Sequence, residues 1–146
     1  MIGEYMKNKI LNIIKIAVII ELLVALLNFN LTTIFLSLFT LSLLFLTDYI
    51  KKKLEFPYKL QLLIYIFIIG TEVLGEIHNL YNKVWYYDDI MHTLSSFIVA
   101  SLSIYILNKI TKDNNKKLVV VFSLLLSMAV AAIWEITEFT FDNVFN

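Results

Sequence analysis

Ionisable side chains cluster where two neighbouring apolar runs of the sequence meet. One run ends with two carboxylates and a histidine, and the next begins with two carboxylates and a histidine. Ionisable groups are costly inside a membrane-spanning segment and usually mark a functional site there. Hard divalent cations prefer oxygen ligands, so this arrangement predicts a metal site. The six side chains are Glu72, Glu76, His78, Asp88, Asp89 and His92.

A third group of acids lies in the last apolar run. Asp89 and His92 are spaced as a chelating pair one helical turn apart, and Glu135 and Glu138 have the same spacing. Facing helices of a bundle supply such groups to a two-metal centre. We therefore predict one site between the third, fourth and fifth runs, with His92 and Glu76 as catalytic groups. The predicted metal ligands are Glu72, Glu76, Asp88, Asp89, His92, Glu135 and Glu138.

The elements that must position these residues are membrane-spanning helices. The chain is 60% hydrophobic and only 16% charged, with a mean hydropathy of +0.79, which indicates an integral membrane protein. A helix needs roughly 20 apolar residues to cross the hydrocarbon core. We predict an all-α polytopic helix bundle in the cell membrane, forming one domain over residues 1–146, with spans at about 10–27, 31–50, 58–80, 88–109 and 117–141.

The lysines set the predicted orientation of the bundle. Five antiparallel spans place every lysine except Lys83 on one side, and basic loops remain cytoplasmic. The N-terminus is therefore predicted to be cytoplasmic and the C-terminus extracytoplasmic. Most of the acids go to the outer side, namely Glu21, Glu72, Glu76, Asp88, Asp89, Glu135, Glu138 and Asp142.

Helical phase, at about 100° per residue, predicts which side chains share a face. A polar stripe on the third span omits His78. A weaker polar stripe on the second span is typical of helix packing rather than of chemistry. The third-span stripe consists of Gln61, Tyr65, Glu72, Glu76 and Asn79, and the second-span stripe consists of Thr33, Ser37, Thr40 and Thr47.

Salt bridges cannot neutralise the outer acids, because Lys83 is the single base on their side and the chain has no arginine. Protonation, water or a bound cation must therefore stabilise them. An oxygen-rich set with one or two imidazoles suits manganese, magnesium, calcium or zinc, and the absence of cysteine excludes thiolate ligands. A di-iron centre fits less well, because it uses two Glu-x-x-His pairs.

Four of the ionisable residues also have simpler interpretations. Asp88 follows a turn and is as well explained as a helix N-cap. Asp142 is explained as a solvated helix end, and His78 as an interfacial residue beside an aromatic belt. Glu21, in the first span, is either a protonated hydrogen-bond donor to a neighbouring helix or a member of the site.

The outer residues form a pattern that resembles a known family. It reads Glu72-x3-Glu76, Trp85-Tyr86-Tyr87-Asp88-Asp89-x2-His92 and Trp134-Glu135-x2-Glu138-x3-Asp142. This pattern resembles the YjdF-like bacterial inner-membrane proteins and is, more distantly, similar to VanZ-like membrane proteins. The first resemblance covers about residues 70–146, with Glu21 as an earlier match. The resemblance implies a compact polytopic helical protein, and it implies no reaction. The fuller members of that family are longer than this chain.

Three functions fit these observations. The first is a metal-dependent enzyme of hydrolase type, in which a cation activates water near the outer leaflet and His92 or a carboxylate acts as general base on a lipid or lipid-linked substrate. The second is a cation or proton carrier along the third-span stripe. The third is a non-catalytic partner subunit with a structural ion. Membrane lipid is the predicted partner, nucleic acid is not, and a protein partner or homo-oligomer is left open.

Overall fold

The computed structural model of the chain describes the backbone of residues 2–110 and 115–145, and the side chains of residues 6–110, 115–137, 139 and 140. All regular structure in these ranges is helical. The α-helices are α1 (Ile2–Leu27), α2 (Leu31–Leu54), α3 (Tyr58–Ile68), α4 (Leu80–Lys83), α5 (Tyr87–Ile110) and α6 (Lys116–Phe145). A π-helix, which we call the π-segment, continues α3 over Ile69–Ile77.

Within residues 2–110 and 115–145, five segments are long and apolar enough to cross a membrane. They are Met6–Leu27, Leu31–Leu54, Tyr58–Ile77, Tyr87–Ile110 and Lys116–Thr137. The predicted all-α fold with five spans is therefore confirmed, and each predicted span overlaps one of these segments. The cytoplasmic position of the N-terminus and the outer position of the C-terminus stay predictions.

The chain divides into two compact units, Met1–Met91 and His92–Asn146. We describe each unit by itself. The first contains α1 to α4 and the π-segment, and it ends in the first turns of α5. The second contains the remainder of α5 and α6. The prediction of one domain over residues 1–146 stays a prediction.

Helix α2 is the centre of the first unit, in contact with α1, α3 and the π-segment. Its buried residues are Ser37, Thr40, Leu44 and Thr47. The hydroxyls of Thr40 and Thr47 donate to the carbonyls of Leu36 and Leu43, at 2.7 and 2.8 Å. Their hydrogen bonds are thus made within the helix, which lets small polar side chains face neighbouring helices. The predicted packing role of this stripe is confirmed for its three buried members.

The third span differs from the prediction. One α-helix over residues 58–80 was expected, but α3 ends at Ile68 and the π-segment ends at Ile77. Asn79 follows with a left-handed backbone, at φ 59°. A π-helix bonds each residue to one five positions away, so the helical phase counted at α-helical pitch is wrong beyond Ile68. Asn79 consequently does not continue the polar stripe.

Two glycines of the π-segment are close-packing positions. Gly70 and Gly75 are five residues apart, the hydrogen-bonding interval of a π-helix. A Cβ atom added to Gly75 would lie 2.3 Å from the Tyr81 ring, and one added to Gly70 would lie 2.8 Å from the Met91 sulfur. The hydroxyl of Tyr87 also donates to the Gly70 carbonyl, at 2.8 Å. The residues that follow the π-segment therefore fold back against its glycines.

The second unit buries small side chains on one face of α6. Val119, Ser123 and Ser127 are buried at four-residue intervals, and Ala131 and Glu135 continue this spacing towards the predicted outer end. The Ser123 hydroxyl donates to the Val119 carbonyl, at 2.8 Å. On α5 the buried residues of this unit are Ile98 and Ser103. This face of α6 is thus buried as far as Ser127, whereas Glu135 at its end is 66% exposed.

Gly75→Ala is expected to destabilise the protein more than Gly70→Ala. The added methyl group of Gly75→Ala meets an aromatic ring, whereas that of Gly70→Ala meets the flexible end of a methionine. Overpacking of this kind costs about 1–3 kcal/mol. The midpoint of thermal unfolding in detergent measures the difference, and equal midpoints for the two variants would contradict the close approach of Tyr81.

Ser37→Leu is expected to lower the same midpoint, because Ser37 is fully buried between helices. The overpacked side chain should again cost about 1–3 kcal/mol. Ser42→Leu is the matched control, since Ser42 lies on the exposed side of α2. If both variants unfold at the wild-type temperature, the packing face of α2 is assigned incorrectly.

Candidate acidic and histidine site

Three of the predicted acidic ligands lie around Tyr81 in the first unit. Burial, together with the smaller effect of the neighbouring carboxylates of Asp88, Glu76 and Glu72, raises the pKa of Tyr81 to about 12. Glu72 and Glu76 belong to the π-segment, and Asp88 lies in the first turn of α5. The structure therefore brings acids from the end of the third span and from the start of the fourth span together around one phenol.

Aromatic contacts fix the position of this phenol. The Tyr81 ring lies directly over Gly75 and meets the Tyr87 ring edge to face, with 5.4 Å between the ring centroids. Tyr87 is in turn tied to the Gly70 carbonyl. Trp85, by contrast, is 87% exposed, as the predicted aromatic belt requires. Between the third and fourth spans, Tyr81 and Tyr87 thus contact the π-segment, whereas Trp85 is exposed.

Asp88 is not the N-cap of α5. The helix begins at Tyr87, so Asp88 and Asp89 both lie in its first turn. Carboxylates there are stabilised by the positive end of the helix dipole. This gives both aspartates a local stabilising interaction in addition to any ligand role, and it corrects the alternative in which Asp88 capped the helix.

A carboxylate–imidazole pair forms in the second unit. His92 Nδ1 lies 3.5 Å from Glu135 Oε1, and the side chains are 27% and 66% exposed. The Ser95 hydroxyl donates to the His92 carbonyl, at 2.8 Å. Two predicted ligands from different spans are thus adjacent. The side chains of Glu138, a predicted ligand, and of Asp142 lie outside the described residues.

A second carboxylate–imidazole pair was missed by helical phase. His78 Nε2 lies 4.0 Å from Glu21 Oε2. This contact joins the end of the π-segment to α1. His78 falls off the predicted polar stripe only if the third span is an α-helix as far as Leu80. The signal that could have found the pair is that both residues interrupt apolar runs at their predicted outer ends.

No three histidine, aspartate or glutamate side chains among those described lie close enough together to hold a metal ion. The described geometry consists of the acids around Tyr81, the Glu21–His78 pair and the His92–Glu135 pair. The predicted single site between three spans stays a prediction.

Gln61 and Tyr65, which form the inner part of the predicted third-span stripe, hydrogen-bond to another helix. Gln61 and Tyr65 both donate to the carboxylate of Asp48 on α2, each at 2.7 Å. Lys15 of α1 pairs with the same carboxylate. Sequence reasoning assigned Lys15 and Asp48 only to the lysine-rich side and missed their contact, since spans one and two carry no shared motif.

Comparisons with known proteins agree with this architecture. The profile of the family described as "Predicted membrane protein (DUF2238)" matches residues 10–146. A protein of Thermotoga maritima described as "Uncharacterized protein" is 28% identical over 102 residues, which are 67% of this chain and 53% of that protein. The chain thus spans about half the length of this relative. No solved structure matches the chain. Neither match is to a VanZ-like protein, so that similarity stays a hypothesis.

Tyr81 is expected to titrate near pH 12, and Asp88→Asn is expected to lower its pKa because a neighbouring negative charge is removed. A raised phenol pKa stabilises the folded state below pH 10.0, and this stabilisation is lost as the pH rises towards 12. Tyrosinate absorbance, taken as the difference between the protein and Tyr81→Phe, measures the pKa. Glu55→Gln, at the C-cap of α2, is the control. An unchanged pKa in Asp88→Asn would place Asp88 away from Tyr81.

Proposed function

The chain belongs to the DUF2238 family of predicted membrane proteins, and we propose that it binds a divalent cation at the acidic ends of its spans and hydrolyses a lipid or lipid-linked substrate there. That it is a multi-pass membrane protein follows from the family and from the five spans. The cation, the reaction and the narrower YjdF-like name belong to the proposal.

The contact between His92 and Glu135 carries the proposal. Their atoms Nδ1 and Oε1 are 3.5 Å apart, at the end of a packed face of α6. A histidine that binds a metal through one ring nitrogen commonly has a carboxylate beside the other. Glu135 is therefore suited either to bind the cation directly or to orient His92 towards it. Asp89 precedes His92 by one turn, and Glu138 follows Glu135 by one turn.

The chemistry of these groups suits hydrolysis at the membrane surface. A bound divalent cation lowers the pKa of water and neutralises a phosphate group. His92 and the carboxylate of Glu76 are the proposed proton acceptors, in the second and first unit respectively. Lys83, the single base predicted on this side, already donates to the His78 carbonyl, at 2.8 Å, so it is engaged elsewhere. A cation is thus the proposed group for neutralising an anionic lipid head.

The carrier alternative required the third-span stripe to form a path. Gln61 and Tyr65 instead donate to Asp48, whose carboxylate is neutralised by Lys15. The inner part of the stripe is therefore occupied by a closed ion pair, which favours the enzyme over the carrier. The partner-subunit alternative uses the same outer acids and is separated from the enzyme by experiment.

The purified protein is expected to bind Mn²⁺ stoichiometrically in detergent. His92→Ala and Glu135→Gln should each weaken this affinity by about 10- to 100-fold, as losses of a metal ligand or of its orienting partner do. Electron paramagnetic resonance of free Mn²⁺ measures the affinity. Glu76→Gln is measured separately because Glu76 belongs to the first unit, and Glu55→Gln is the control.

Hydrolysis is tested with vesicles that carry anionic phospholipids, by release of the head group with and without Mn²⁺. Unaltered Mn²⁺ affinity in both His92→Ala and Glu135→Gln would overturn the cation site. Stoichiometric binding without hydrolysis, together with a co-purifying protein that is lost on Asp89→Asn, would favour the partner subunit. Mn²⁺ or proton flux into proteoliposomes would favour the carrier.

A further inference from the structure

A charged cluster joins α1, α2 and α3 within the first unit, away from the acidic ends. Asp48 of α2 is its centre. One carboxylate oxygen accepts from Gln61 Nε2 and from the Tyr65 hydroxyl, each at 2.7 Å. The other accepts from the Lys15 ammonium. The carboxylate therefore receives three donors from two other helices, and each of its oxygens is bonded.

The lysine of this cluster is more enclosed than the aspartate, whose side chain is 32% exposed. Its Nζ lies 5.0 Å from the centroid of Phe45 and 5.9 Å from that of Tyr65, distances at which a cation is attracted by the face of an aromatic ring. Its side chain is 15% exposed. One carboxylate and two rings thus form a cage around a primary ammonium group, and we call it the Lys15 cage.

The cage lies within the spans rather than at their ends. Lys15 follows the first residue of the span Met6–Leu27 by nine positions, and Asp48 precedes the last residue of Leu31–Leu54 by six. At helical rise these positions are about 14 and about 9 Å inside. Gln61 and Tyr65 are buried. The side chains of Lys15 and Asp48 are 15% and 32% exposed. Removing one partner of an ion pair inside a span leaves an uncompensated charge there, which is costly.

We propose that Lys15 is the built-in ligand of a primary-ammonium cage, and that this cage locks α1, α2 and α3 together while closing the Asp48 carboxylate to other cations. The cage is independent of the proposed outer site. It assigns Lys15 and Asp48 a holding role, so that neither side chain is available for the proposed cation chemistry.

Chemical rescue tests the cage. Lys15→Ala should lower the midpoint of thermal unfolding by several degrees, and n-propylammonium should restore it in a saturable manner, because this ion replaces the atoms that the substitution removes. Tetramethylammonium at the same ionic strength should not restore it, since it has no N–H donor. Lys9→Ala, an exposed lysine on the same helix, is the control and should unfold like the wild type.

Equal effects of the two ammonium salts, or an equal loss in Lys9→Ala, would overturn the proposal. If Lys15→Ala does not fold, the double variant Lys15→Met with Asp48→Leu provides the test. It should be more stable than either single variant, because an apolar pair replaces a charge pair within the spans without leaving an isolated charge. A loss equal to the sum of the two single losses would show that Lys15 and Asp48 do not act as a pair.

The carboxylate is tested separately by labelling with dicyclohexylcarbodiimide, which modifies protonated carboxyl groups in membranes. Asp48 should remain unlabelled in the wild type, become labelled in Lys15→Ala and be protected again by n-propylammonium. Mass spectrometry of the peptide that contains Asp48 measures the label. Equal labelling in the wild type and in Lys15→Ala would show that Lys15 does not close the carboxylate.

Discussion

The ionisable side chains within the spans of this protein are constrained by the hydrocarbon core that surrounds the spans. The hydrocarbon core offers no water to a charge, so a charged group within it needs a partner from the protein. Asp48 satisfies this requirement with three donors. Two other acids, Glu21 and Glu135, lie beside the imidazoles of His78 and His92. Asp48 is thus paired with a lysine, whereas Glu21 and Glu135 are paired with histidines.

Hydropathy was sufficient to predict the five spans, because a membrane-spanning helix must be apolar over a length that the bilayer sets. The packing stripe of α2 was also predictable, since Ser37 and Thr40 lie within ordinary α-helical pitch. The π-segment was not. Gly70 and Gly75 carry no hydropathy signal for a change of pitch, and the reason for the change is tertiary, namely the return of Tyr81, Tyr87 and Met91 against them.

The geometry of the candidate site was predictable only where its residues lie on regular α-helices. His92 and Glu135 both lie on α-helices, where spacing and helical phase can be counted, and the two side chains are in contact. Glu72, Glu76 and Asp88 are all neighbours of Tyr81, a residue that the predicted stripe does not contain. His78 and Glu21 were undervalued because the count of helical phase continued past the point at which the helix changes. Lys15 and Asp48 were missed because their contact depends on how α1 and α2 pack, and neither lies in a local motif.

The interval between Gly70 and Gly75 has a consequence for how this sequence can vary in length. Gly70 and Gly75 are five positions apart, and side chains later in the sequence pack against both. Only a π-helical pitch brings the two glycines to one face. Loss of a single residue from Ile69–Ile77 would leave hydropathy and composition almost unchanged and would favour an ordinary α-helix. It would also turn one glycine away from its tyrosine. Insertions and deletions in this short stretch are therefore constrained far more strongly than substitutions of one aliphatic residue by another, and relatives should differ in length elsewhere.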